Sequence, residues 1–133
     1  MNKFIVGIIL LLFFTLISCN KKDIVYHSVR GSWRCEEIDP INGLRVYIVD
    51  IDESKSDSTL YLLSNFYNED INEFVYAHLN GSTMTISEQT FATLRVKSGT
   101  GIVSGDFTQI DFAYTIYDGQ SEIKVQATYS RPN

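Results

Sequence analysis

Few residues in this chain of 133 are of types that do chemistry, and their spacing narrows the choices further. The cysteines are Cys19 and Cys35, and the histidines are His27 and His78. A catalytic histidine needs a nucleophile and an orienting acid within reach. Neither histidine lies in such a pattern, and the chain holds no G-x-S-x-G, no H-E-x-x-H and no glycine-rich phosphate loop. Glu36 and Glu37 are neighbours, so on a strand they point to opposite faces and cannot be the facing carboxylates of a glycosidase. Asp50, Asp52, Glu53 and Asp57 offer the spaced oxygens that a calcium ion takes. An EF-hand loop counted from Asp50 would need glycine sixth and glutamate twelfth, where this chain has Lys55 and Tyr61. That run reads as a solvated loop, and neither a metal nor another cofactor is expected. Cys35 alternates with Trp33 and reads as a small buried hydrophobe with a free thiol. Phe66, Tyr67, Phe74 and Tyr76 crowd into eleven residues. They form either an exposed platform for a sugar or a partner protein, or the cover of one end of a small core. They are the candidate ligand-binding residues.

Cys19 has a different setting. Met1-Asn2-Lys3 supplies one positive charge, and residues 4–17 are apolar except for Gly7 and Thr15. Crossing a bilayer takes about 20 such residues, whereas the apolar region of a secretory signal takes about 7–15 after a basic start. Residues 1–18 therefore read as a signal peptide. An ordinary cleavage site wants small residues at −3 and −1, and here the −3 position is Leu16. Leu16-Ile17-Ser18-Cys19 instead resembles the lipobox of bacterial lipoproteins. That resemblance implies a diacylglycerol on the Cys19 thiol, cleavage before it, and residence in the bacterial cell envelope, with the outer membrane expected. Thiol chemistry suits the task, since the thiolate is a strong nucleophile near neutral pH. Two or more acyl chains anchor stably, at about 0.8 kcal/mol per buried CH₂.

Removing residues 1–18 leaves 115, enough for one modest domain. The remainder has 10 basic and 16 acidic side chains, a formal charge of −6. Such a balance argues against nucleic-acid binding and against a polybasic membrane patch. With Cys19 acylated, Cys35 has no partner in the chain, so stability must come from packing.

The elements that would position these residues are strands. Residues 19–28 read as the lipidated cysteine and a polar tether, and residues 29–133 as one β-domain. From Val29 onward the period is close to two, and Val, Ile, Thr, Tyr and Phe are enriched. Strands are expected at 29–37, 44–52, 59–63, 73–79, 83–86, 94–96, 101–104, 109–117 and 122–129. Eight or nine short strands imply an antiparallel barrel or barrel-like sandwich. Asp118-Gly119 and Asn80-Gly81 are pairs that two-residue hairpin turns favour. Placing Asp118-Gly119 at a tip pairs Tyr114 with Ile123, Phe112 with Val125 and Ile110 with Ala127. Placing Asn80-Gly81 at a tip pairs Val75 with Ile86 and Ala77 with Met84.

Gly31-Ser32-Trp33 on a first strand, the successive hairpins, and a last strand ending Ala127-Thr128-Tyr129 resemble small lipocalin-like lipoproteins of Gram-negative bacteria. "GTGIVSGDFTQIDFAYTIYDG" is similar to the end of such uncharacterised exported domains. The resemblance implies an antiparallel up-and-down barrel or barrel-like sandwich and no assigned enzyme activity. The function expected is a lipid-anchored, non-catalytic binding or structural module with a protein or glycan ligand. An envelope inhibitor of a host or competitor enzyme is the alternative, and a glycan-active enzyme is the rival of another class.

Overall fold

The computed structural model describes residues 22–133, so the expected signal peptide, residues 1–18, and Cys19 lie outside the described residues. Nine antiparallel strands follow one another: β1 (Gly31–Asp39), β2 (Gly43–Glu53), β3 (Leu60–Ser64), β4 (Phe74–Asn80), β5 (Thr83–Ile86), β6 (Gln89–Phe91), β7 (Leu94–Val103), β8 (Gln109–Tyr117) and β9 (Glu122–Ser130). Their order is β5-β4-β3-β2-β1-β9-β8-β7-β6, and β5 also pairs with β7. That last pairing closes eight strands into an up-and-down barrel and leaves β6 as an extra strand on β7. Closure is what a small sheet needs to hide its edges.

Alternation decides what goes inside. On β1, Trp33, Cys35, Glu37 and Asp39 point inward and are buried, while Arg34, Glu36 and Ile38 point out. On β8, Ile110, Phe112, Tyr114 and Ile116 are inside, and on β9, Ile123, Val125, Ala127 and Tyr129. The interior is packed with rings. Phe66 lies 4.6 Å from Tyr114 and 5.6 Å from Phe91, and Phe112 lies 4.9 Å from Tyr129, centroid to centroid. The Trp33 indole donates to the Val29 carbonyl at 2.8 Å, which satisfies its one polar atom.

Three expectations are corrected. The strands expected at 94–96 and 101–104 are one strand, β7, with an irregularity between Val96 and Ser98; β6 was not anticipated. Both hairpin registers move by two residues. Tyr114 pairs with Val125, Phe112 with Ala127 and Ile110 with Tyr129, because the connection is the four-residue Asp118–Ser121. Asp118 holds it by accepting from the amides of Gln120 and Ser121, both at 2.8 Å. The β4–β5 turn has Gly81-Ser82 at its tip, with Gly81 at φ 61°, so Asn80 pairs with Thr83 and Leu79 with Met84. A shift of two leaves every side chain on its expected face, since only an odd slip exchanges the faces.

The barrel has two distinguishable ends. The chain enters β1 and leaves β9 at the same end, and Arg131 locks them together there. Its guanidinium donates to the carbonyls of Phe107, Arg30 and Ser28 at 2.9, 2.9 and 2.6 Å and lies over the rings of Trp33 and Tyr26. The opposite end carries the β1–β2 turn, the β8–β9 turn and the segment between β3 and β4.

Candidate functional site

Two features of the barrel could do work, one inside and one outside. The inner one is a knot of polar side chains near the β1–β2 turn. Glu37 is fully buried. Its Oε1 accepts from Arg45 Nη2 at 2.5 Å, and its Oε2 accepts from the hydroxyls of Tyr47 (2.5 Å) and Tyr114. Charge-assisted bonds of this kind are about twice as strong as neutral ones. Asp39, one inward position further along β1, caps the turn by accepting from the amides of Ile41 and Asn42 at 2.7 and 2.8 Å. Tyr67 donates to Asp39 at 3.2 Å, and Arg45 lies 4.4 Å from the centre of the Tyr67 ring. Tyr67 reaches this position from a 3-10 turn, Phe66–Asn68, at φ 57°. A non-glycine residue in that region costs about 1–2 kcal/mol, which its partners must offset.

Such a knot is a poor acid–base site. The Glu37 carboxylate is committed to three donors and sealed from water, so it has no free lone pair aimed at a substrate. The surrounding groups are held in their uncharged forms by burial. Burial is the largest cause of the upward shifts at Tyr47, Tyr114 and Tyr129, with the neighbouring acidic groups adding to it. Burial also pushes the Cys35 thiol up to about 12, against which its hydrogen bond to Tyr47 works only in part. Asp39 moves the other way: burial opposes its charge, but bonds from Asn42, Ile41 and Tyr67 prevail and lower it. Among the described residues, the buried Arg45 Nε lacks a hydrogen-bond partner, and the Tyr129 hydroxyl has only the Cys35 thiol beside it.

Two expectations follow from this chemistry. Cys35 in the folded chain should not react with iodoacetamide at pH 8, and one further adduct should appear after denaturation; rapid native labelling would place the thiol elsewhere. The second concerns alkali. A group whose pKa is raised by folding stabilises the fold fully below its unfolded value and loses that contribution as pH rises above it. The ordinary values here are 9.0 for Cys35 and 10.0 for the tyrosines. Stability should therefore fall from about pH 9 upward, with the absorbance of the buried tyrosinates appearing together with the loss of far-ultraviolet sheet signal. Tyrosinate absorbance at full amplitude in an intact barrel would contradict the burial of these hydroxyls.

The outer feature is an open groove of about 580 Å³ across β2, β1, β9, β8 and β7. Its lining includes Glu36, Ile38, Leu44, Ile102, Asp111 and Thr128. The register explains the grouping. Val46, Glu36, Thr128, Asp111 and Ile102 are successive partners across five strands, so they stand in one row on the outer face. Ile38 pairs with Leu44 in the next row. Among these, Ile38, Leu44, Val46 and Ile102 are each more than half exposed, at 55, 68, 51 and 52%, and Ile48 adds a fifth exposed apolar residue. Apolar side chains grouped on an outer face are a candidate interaction surface. Glu36 and Asp111 flank Thr128, two strand spacings or about 9–10 Å apart at Cα. Each is already engaged: Glu36 pairs with Arg34 at 2.5 Å, and Asp111 accepts from Gln109 and Thr128.

The sequence candidates are divided by the fold. Phe66 and Tyr67 are buried, as core and as the floor of the Asp39 knot. Phe74 and Tyr76 stand half exposed on the outer face of β4, with His78. The four do not form one platform. His27 is exposed ahead of β1, and His78 lies 3.5 Å from the Thr59 hydroxyl. Asp57 caps its own turn through Thr59, and Asp50 accepts from Ser32 across the sheet. Cys35 is a buried free thiol. The inner knot was missed, although Glu37 is in phase with Trp33 and Cys35, and that phase was its one signal. The outer row was missed because its members come from five strands.

No family model matches the chain, and no curated protein matches it significantly.

Proposed function

We propose that this chain is a lipid-anchored binding module of the bacterial cell envelope, held by Cys19 at the outer membrane and working through the outer face of its barrel. The observation that carries the reading is the set of exposed apolar side chains around the groove, Ile38, Leu44, Val46 and Ile102, on a barrel whose interior is filled by its own rings. An occupied interior leaves the outside to meet a partner. Apolar side chains with a few polar groups among them are the composition of a protein-binding patch. The partner class favoured is therefore a protein, ahead of a glycan, because the exposed aromatics Phe74 and Tyr76 stand apart from the groove. Catalysis is not part of the proposal: Glu37 is fully engaged, and Glu36 and Asp111 line an open groove instead of a closed cleft.

The anchor and the surface are tested separately in cells. Cys19→Ser should leave an uncleaved precursor that takes up no fatty-acid probe; mature, labelled protein from that variant would refute the anchor. Ile102→Lys should abolish retention of an envelope protein that the wild-type chain captures, with barrel stability within about 0.5 kcal/mol because the site is exposed. Equal capture by both chains would place the binding surface elsewhere.

A further inference from the structure

The chain is fastened to the barrel before β1 begins. Arg131 donates to the carbonyls of Ser28 and Arg30 at 2.6 and 2.9 Å, and its guanidinium lies 4.2 Å from the centre of the Tyr26 ring. Tyr26 is only seven residues after Cys19. A chain extends by at most about 3.3–3.6 Å per residue. Ile24, five residues after Cys19, therefore lies within about 18 Å of that Cα, whatever path the intervening residues take.

This short span carries its own apolar surface. Ile24 and Val25, 72 and 70% exposed, are the two most exposed large apolar side chains among the described residues. They stand in Lys22-Asp23-Ile24-Val25-Tyr26, where the two charges cancel and the apolar pair is followed by a tyrosine. An open cleft of about 330 Å³, lined by Ile24, Tyr26, Arg131 and Pro132, runs between this stretch and the last residues of the chain. Aliphatic side chains beside a tyrosine suit the boundary between lipid headgroups and acyl chains.

Building on the lipid anchor at Cys19, we propose that Ile24 and Val25 are a second membrane contact, inserted at the headgroup boundary of the same leaflet. The Arg131 clamp then stands the barrel with the entry of β1 towards the lipid. Only the tether enters. Asp57 and Asp106, in turns at the same end, bond within those turns to Thr59 and Thr108 and stay in water. The β1–β2 turn faces away, the nine residues of β1 or about 30 Å of strand distant. The groove is left clear on the flank. Laying the barrel on that flank would bring Val46 and Ile48 to the lipid, but also the outward carboxylates of Asp50, Asp52 and Asp111. Desolvating those carboxylates opposes that pose.

The lipidated mature protein, in vesicles of phosphatidylethanolamine and phosphatidylglycerol with or without a doxyl group on the acyl chains, tests this. Cys35 is buried, so one introduced cysteine takes a fluorophore under native conditions. A label at Val25→Cys should lose emission in the doxyl vesicles. Labels at Ile41→Cys, in the β1–β2 turn, and at Val46→Cys, on the flank, should not. Adding Ile24→Glu to the labelled Val25→Cys chain should restore emission while the protein stays with the vesicles. In a vesicle-bound chain, quenching at 41 or 46, none at 25, or quenching at 25 that survives Ile24→Glu overturns this contact and leaves the anchor standing. A chain that carries no lipid and separates from the vesicles refutes the anchor, and this proposal with it.

Discussion

Replacing Arg45 with methionine is expected to destabilise the barrel by about 3–5 kcal/mol, a large share of what a small domain has. Arg45 is itself partly exposed, and the cost arises at its partner. Glu37 is wholly buried, and its Oε1 loses the one cation paired with it among the described residues. The hydroxyls of Tyr47 and Tyr114 remain, but two neutral donors do not balance a desolvated carboxylate. Glu37→Leu in the wild-type background should also be costly, since it strands the Arg45 guanidinium and both hydroxyls. The double change Glu37→Leu with Arg45→Met should recover much of the loss, because an apolar pair of similar volume commonly replaces a buried ion pair at little cost. Denaturant melts of the three variants give the coupling directly. Strictly additive losses would mean that the two groups do not hold each other.

Phe112→Ala should cost a similar amount, about 3–5 kcal/mol, through the cavity it leaves. Phe112 is 3% exposed, packs against the tilted Tyr129 ring and lies against Gly101 on the neighbouring strand, where a Cβ would overlap its ring. The fit needs glycine at 101 and a large ring at 112, so the surroundings cannot collapse cheaply into the gap. Lys124, on the outer face of the same hairpin, should tolerate alanine within about 0.5 kcal/mol. Gly119→Val should be harmful for another reason: Gly119 has φ 99°, which a β-branched residue resists, although nothing lies within 4 Å of its Cβ position. A silent Phe112→Ala beside a costly Lys124→Ala would reverse the sheet faces.

The second prediction shows what alternation carries. Faces are legible because a strand needs only parity, and parity survived both register errors. The tips were misplaced because Asp118-Gly119 and Asn80-Gly81 each satisfy turn chemistry in more than one frame. Asp118 in fact uses its carboxylate to hold a longer loop, and Gly81 pairs with Ser82 at the tip. β6 was illegible at three residues. Glu37 was legible by phase but not by type, since an inward carboxylate makes sense only with Arg45, Tyr47 and Tyr114, which come from two other strands. The aromatic cluster failed as a unit because the Phe66–Asn68 turn folds its first half inward while β4 carries its second half out. The outer row needed the pairing of five strands, which no local pattern encodes.

The central claim is that this barrel is filled by its own side chains and works from its outer face. Trp33, the one tryptophan of the chain, is fully buried inside and reports directly on the interior. The decisive measurement is Trp33 fluorescence during titration of the full chain with a brominated fatty acid, referenced to the unbrominated acid in the same detergent. A filled interior predicts no saturable difference between the two titrations. Stoichiometric, saturable quenching by the brominated acid alone would show a ligand inside the barrel and contradict the account.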